Sequence, residues 1–289
     1  TGGALRWAGS DVVFGPFRDV YADAQVTRVL HSDGAVRGIM VRDQRDGTEH
    51  RVGARVVVVA ADSLRTPQVL HASGVRPAAL GRYLNDQPQM VYAVRLRDIP
   101  ASAATAGISG VTWVPFTDAH PFHGQVMQLD ASPVPMTGGV VPGSIVGLGW
   151  FCAKDIQASD RVEFGDDLDE FGMPAMRIHY TLTDRDHASL AAARTEILRA
   201  AAALGDPLDD RPPLTFPAGA SLHYQGTVRM GATDDGASVC GPDSQVWGMR
   251  GLYVAGNGVI PTATACNPTL TAVALAVGGA LSIAKDLSC

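Results

Sequence analysis

Between residues 26 and 41 two β-rich runs, VTRVL with its mixed apolar and polar positions and RGIMV, flank a turn at Ser32-Asp33-Gly34. That pattern predicts an antiparallel hairpin. A second turn signal at Asp46-Gly47 precedes RVVVVA, where Val56 to Val59 are all apolar, and such a run predicts a strand covered on both faces. The period then changes. SLRTPQVLHAS, Ser63 to Ser73, has helical spacing, carries Pro67 early and meets Gly74 as a stop. From Asn85 to about Tyr180 the chain returns to short strand-like stretches, QMVYAVRL, GQVMQLD, SIVGLGWF and AMRIHYTL, separated by Gly- and Pro-rich loops. These predict an antiparallel sheet.

Thr183 or Asp184 caps the next helix, whose stripe of Leu190, Ile197, Ala201 and Leu204 suits one face of that sheet before Gly205 ends it. A proline-rich connector, Pro207 to Pro217, leads to a His-containing loop, the strand GLYVAG and a final apolar run from Thr269 to Ala284. That run is shorter than the roughly 20 residues a membrane span needs and lacks basic flanks, so it is read as a buried helix. The elements add up to a mixed α/β (α+β) fold in three stretches: 1–84, 85–217 and 218–289.

Length and composition narrow the function. A chain of 289 residues with net charge −6 and no Lys/Arg cluster lacks the footprint of a nucleic-acid or anionic-membrane partner, and points to a neutral small molecule. Cys152, Cys240, Cys266 and Cys289 share no short spacing, which argues against a metal site and a disulfide framework and for reduced thiols in the cytoplasm. The opening TGGALRW shows no initiator Met and no secretory signal, and is read as the start of a sequence with residues missing.

Candidate chemistry concentrates near the end. The segments SLHYQGTVRMG (221–231) and GLYVAGNGVIPTATACNPTLT (251–271) resemble the C-terminal signatures of the glucose-methanol-choline (GMC) oxidoreductases, FAD-dependent alcohol oxidases and dehydrogenases. The match is nearest to pyranose oxidases and bacterial glycoside 3-oxidases. VVVVAADSLRTPQVLHASGV, GRYLND (81–86) and the G-G-x-x-x-W opening at Gly2 to Trp7 extend it, and it is thin from about 88 to 150. The resemblance implies a GMC-type FAD-binding domain, discontinuous in sequence and made of 1–84 and 218–289, and a substrate domain, 85–217, built on an antiparallel sheet backed by helices. It makes His223 the catalytic histidine and Asn267 its partner. It places Gly256, Asn257 and Gly258 at the FAD phosphates and ribityl chain, Val26 near the adenine and Ala60 and Ala61 beside the cofactor. Pro268 and Thr269 would stand at the flavin edge, and Asp130 and Lys154 would touch the sugar.

The chemistry explains these residue types. Oxidising an alcohol removes a proton from oxygen and a hydride from carbon. A neutral imidazole can take the proton near neutral pH, an amide can orient the oxygen, and neither can take the hydride. A redox cofactor is therefore required. Pro268 suits the first helical turn, and a helix N-terminus with free N–H groups would favour an anionic reduced ring. The residues equally suit a helix cap, Asn followed by Pro. Gly226 and Gly231 are read as serving backbone conformation and close approach.

Two features depart from the family. No G-x-G-x-x-G phosphate loop occurs, and Trp7 stands unusually close to the first strand block, as if residues had been dropped from between them. Arg6 stands where fungal pyranose oxidases carry the His that links to FAD, which implies non-covalent FAD. The expected reaction is oxidation of a pyranose hydroxyl, at C2 or C3, of a sugar or glycoside, with oxygen or a quinone as electron acceptor and the oligomeric state open. Two other readings stay open: a GMC enzyme acting on a non-sugar alcohol, and a silent or binding fragment that keeps the fold without FAD.

Overall fold

The structure is a computed structural model that describes residues 19–98, 111–129 and 143–288. Strands β1 (Ala24–Ser32) and β2 (Ala35–Asp43) form the hairpin that the two runs and their turn predict. Asp33 and Gly34 turn it at φ 53° and 68°, the left-handed pair that suits a two-residue hairpin. β3 (Glu49–Gly53) adds a third strand. The valine run becomes the short β4 (Val57–Val59), parallel to β13 (Leu252–Val254) and paired on that side only among the described residues. Val58 is 46% exposed, so the expectation of a strand covered on both faces does not hold.

Helix α1 (Asp62–Ala72) ends as expected: Gly74 at φ 75°, with Gly74 N–H donating to His71 and Val75 N–H to Leu70, is a Schellman stop. Pro67 lies well inside this helix. Its ring nitrogen cannot donate to the carbonyl four residues back, and that carbonyl, of Ser63, instead accepts the Thr227 hydroxyl at 2.5 Å. The proline of one motif thus frees an acceptor for the threonine of another.

The larger sheet runs β11 (Gly205–Pro207), β5 (Gln89–Leu96), β8 (Ile145–Cys152), β7 (Phe122–Leu129), β6 (Val111–Val114), with β12 (Leu214–Thr215) also on β5. All its pairings are antiparallel. AMRIHYTL does not join it: β10 (Pro174–His179) pairs with β9 (Arg161–Leu168) as a separate hairpin. Helix α2 (Asp184–Leu204) is capped by Thr183 in a reciprocal box with Asp186. It buries Leu190, Ala193, Ile197 and Ala201 against Met90, Val94, Leu148 and Trp150 on one sheet face. Because side chains alternate along a strand, the register leaves His123, Gln125, Phe151, Gly149 and Gln89 on the opposite face.

A second core joins β1, β2, α1 and the 228–259 segment through Val29, Leu70, Val228, Cys240 and Leu252. Helix α3 (Thr269–Ser288) corrects the reading of the last run as a buried helix. Only Gly279 is buried along it, and Leu270 and Leu281 are 82% and 69% exposed. Leu275 reaches the second core, but no described residue covers the outer apolar face. By length and composition α3 is long and apolar enough to cross a membrane. Cys152 and Cys240 are buried and Cys266 exposed, all three free.

Candidate active site

The segment after Ser221 is held from both sides. Asn85 and Gln225 exchange backbone hydrogen bonds at 3.1 and 2.8 Å, and Gly226 at φ 90° passes so close to Tyr83 that a Cβ would strike its carbonyl. Downstream, Val228 N–H donates to Gly258 and Met230 N–H to Val259, which ties the segment to the 3₁₀ turn Asn257–Val259. Asp86 accepts from the Ser221 hydroxyl and from His223 N–H. The His223 segment is therefore held by backbone bonds to Asn85 and to the 3₁₀ turn, and His223 itself by the Asp86 carboxylate.

Its imidazole is half-buried, with the Phe151 ring 5.8 Å away. Nδ1 lies 2.8 Å from Gln87 Oε1. Burial lowers the His223 pKa below the ordinary imidazole value, against the opposing pull of the Asp86 carboxylate. On the neighbouring loop, Asn267 Oδ1 accepts from Gln125 Nε2 at 2.9 Å. Gln87 Nε2 donates to Cys266 O and Thr264 Oγ1 at 2.5 and 3.1 Å. One side chain thus joins the His223 segment to the residue that precedes Asn267.

Gln87 and Gln125 carried no signal as single residues. Gln87 follows GRYLND directly, and His123 with Gln125 puts two polar residues on one face of a largely apolar strand. His123 is buried with Nε2 unpartnered, and its ring lies between Trp113 and Phe151. A cleft of about 550 Å³ leads from Gln125 over Gly147 and Gly149 to Pro212.

The cofactor-side residues fall where two parallel strands end. Ala255 N–H bonds Val59 O, so Ala60, Ala61 and Gly256 lie together at the carboxyl ends of β4 and β13, the side on which open parallel sheets bind ligands. Val26, Ala60 and Ala61 line a cleft of about 820 Å³. Gly256 has φ 103° and open space where a Cβ would project. Pro268 precedes the first turn of α3, whose Thr269 is exposed. These features fit an extended cofactor, held by small residues at one end and a helix start at the other; the 289 residues hold no G-x-G-x-x-G loop for its pyrophosphate.

Asp130 and the opening segment with Arg6 and Trp7 lie outside the described residues. Lys154 is placed away from any sugar surface. Its side chain is 1% exposed and its ammonium sits 3.0 Å from both Asp160 and Asp186, pinning β8 to the start of α2. The expected sugar contact is thus an internal ion pair.

The half-buried imidazole of His223 and the cleft at the strand ends suit a cofactor-dependent oxidoreductase. Family models described as GMC oxidoreductase match residues 18–89 and 159–276. The chain is 62% identical to a C-glycoside 3-oxidase of Microbacterium trichothecenolyticum, covering 99% of this chain and 59% of that protein. It is 31% identical to a pyranose 2-oxidase of Tricholoma matsutake, over 98% of this chain and 57% of that one. Formate oxidase of Aspergillus oryzae RIB40 shares the fold, with TM-score 0.68 and 17% identity over 91% of this chain and 60% of that chain. The chain belongs to the GMC oxidoreductase family, whose cofactor is FAD. It spans about 59% of the length of the curated relative with which it shares 62% of its residues.

Proposed function

We propose that this chain carries the catalytic residues of an enzyme that oxidises the C3 hydroxyl of a glycoside or free pyranose, with non-covalently bound FAD. The observation that carries the reading is His223, a half-buried imidazole whose Nδ1 is engaged by Gln87, whose Nε2 has no hydrogen bond among the described residues, and whose pKa burial lowers. When bound, FAD supplies the hydride acceptor. His223 Nε2 takes the hydroxyl proton, and Asn267, braced by Gln125, orients the same oxygen. His123 and Gln89 add polar groups for the remaining ring hydroxyls, and the cleft beyond Gln125 gives a glycoside's second half room to extend. Val26, Ala60 and Ala61 would hold the adenosine side, Gly256, Asn257 and Gly258 the phosphates and ribityl chain, and the α3 start at Pro268 and Thr269 the ring. Oxygen or a quinone would serve as the final electron acceptor.

The test is anaerobic mixing of the full-length protein with a panel of glycosides, free sugars and non-sugar alcohols, watching the flavin bands. Bleaching by glycosides with a C3 carbonyl product is expected. Bleaching by choline or aryl alcohols alone would replace the reading, and a protein that takes up no FAD would end it.

A pH dependence follows from the His223 shift. Protonation removes the base, so the rate of flavin reduction falls as pH drops through the folded-state pKa. With that pKa lowered by burial, the acidic limb is expected below the ordinary value of about 6.5. Single-turnover reduction between pH 4.5 and 8 measures it, and a midpoint above 6.5 contradicts the assignment.

A further inference from the structure

We propose that Gln87 is a positioning residue that fixes the tautomer of His223, so that Nδ1 carries the proton and Nε2 is the acceptor. The inference rests on the reading of His223 as the base. The direction of each bond follows from what its partners can do. Cys266 O is a backbone carbonyl and only accepts, so the group of Gln87 that faces it at 2.5 Å is the amide NH₂. The same NH₂ reaches Thr264 Oγ1 at 3.1 Å. Thr264 in turn receives Gln225 Nε2 at 2.9 Å and faces Cys266 O at 3.3 Å, so its one proton is directed to the carbonyl and its lone pairs to the two amides. Gln87 cannot flip without setting its own oxygen against that carbonyl. Its Oε1 is left facing His223 Nδ1 at 2.8 Å. An amide oxygen only accepts, so Nδ1 must donate, and in a neutral imidazole the other nitrogen then holds the lone pair.

Gln87 is 3% exposed, which shields this arrangement from exchange with water. It also sits between the loops that carry the two members of the pair. The backbone of Asn85 and the carboxylate of Asp86 fix the His223 segment, and the side chain of Gln87 fixes the loop before Asn267. Three consecutive residues at the junction of two sheets therefore set both the place and the protonation pattern of the base.

The experiment uses the full-length protein with ¹⁵N-labelled histidine. Long-range ¹H–¹⁵N spectra at pH 7.5, with His223→Gln identifying the resonance, report which ring nitrogen of His223 is protonated. Wild type is expected to show Nδ1–H. Gln87→Met, which keeps the side-chain length and removes both partners, is expected to move His223 to a mixture or to Nε2–H, and to lower kcat roughly tenfold or more with KM little changed. Wild type in the Nε2–H form overturns the proposal even if no variant folds, and so does an unchanged tautomer in a folded Gln87→Met. If the tautomer follows Gln87 but no sugar bleaches the flavin, the base assignment fails and the role of Gln87 stands.

Discussion

Replacing His223 by alanine is expected to slow flavin reduction by glycoside roughly 10²–10⁴-fold, the range for losing a general base, while FAD stays bound at wild-type stoichiometry. The separation follows from where the imidazole is held. Its contacts run to Gln87 and Phe151, and the residues assigned to FAD lie at the strand ends and the α3 start. The backbone bonds that fix the segment, at Asn85, Gln225, Val228 and Met230, do not use the imidazole. Alanine therefore removes the proton acceptor and leaves the scaffold. Stopped-flow reduction together with the bound-flavin absorbance decides the matter. A rate within a factor of ten of wild type would remove His223 from the reaction, and loss of flavin would make it a cofactor ligand.

Much of this site was legible because its key residues occur in local runs. His223 with G-T-x-R-M-G, and Asn267 with P-T-L-T, are carried by segments whose backbone conformation depends on their own glycines and prolines, such as Gly226 at φ 90°. Strand and helix periods likewise gave β1, β2, β5, β7, β8 and α2. What escaped depends on distant partners. Gln87 and Gln125 matter only because folding brings them to Cys266 and Asn267, 179 and 142 residues away. Apolarity alone also misread two stretches. Val56 to Val59 and the last helix look buried by composition, yet among the described residues β4 has a neighbour on one side only, and α3 meets the core through Leu275 and Gly279.

Lys154 shows the opposite error, a charged residue in a strand read as facing a sugar, and its replacement carries the largest expected cost in stability. Lys154→Met keeps the stem and removes the charge between Asp160 and Asp186, leaving two carboxylates in a site where the three side chains are 0–2% exposed. Breaking a buried pair from one side costs roughly 3–5 kcal/mol. Asp186 also holds the start of α2, accepting from Asp155 N–H at 2.7 Å and Thr183 N–H at 2.9 Å, so β8 and α2 should loosen together. The pH dependence has a definite sign. In the intact protein burial pushes the Asp186 carboxyl up, but those amides and the Lys154 ammonium outweigh it and hold its pKa below the ordinary carboxylate value. A group with a depressed folded pKa stabilises above its unfolded pKa, about 3.9, and that stability is lost as pH falls through the folded value. Without Lys154 the pKa of Asp186 rises, so protonating it costs the variant's fold less than it costs the wild type. The deficit of the variant is therefore expected to be largest near pH 7.5 and smaller at pH 4.5, measured as the change in unfolding free energy in urea at each pH. KM for glycoside should hold at temperatures where the variant is folded. A deficit under about 1 kcal/mol at pH 7.5, or a large rise in KM with stability intact, would return Lys154 to the sugar.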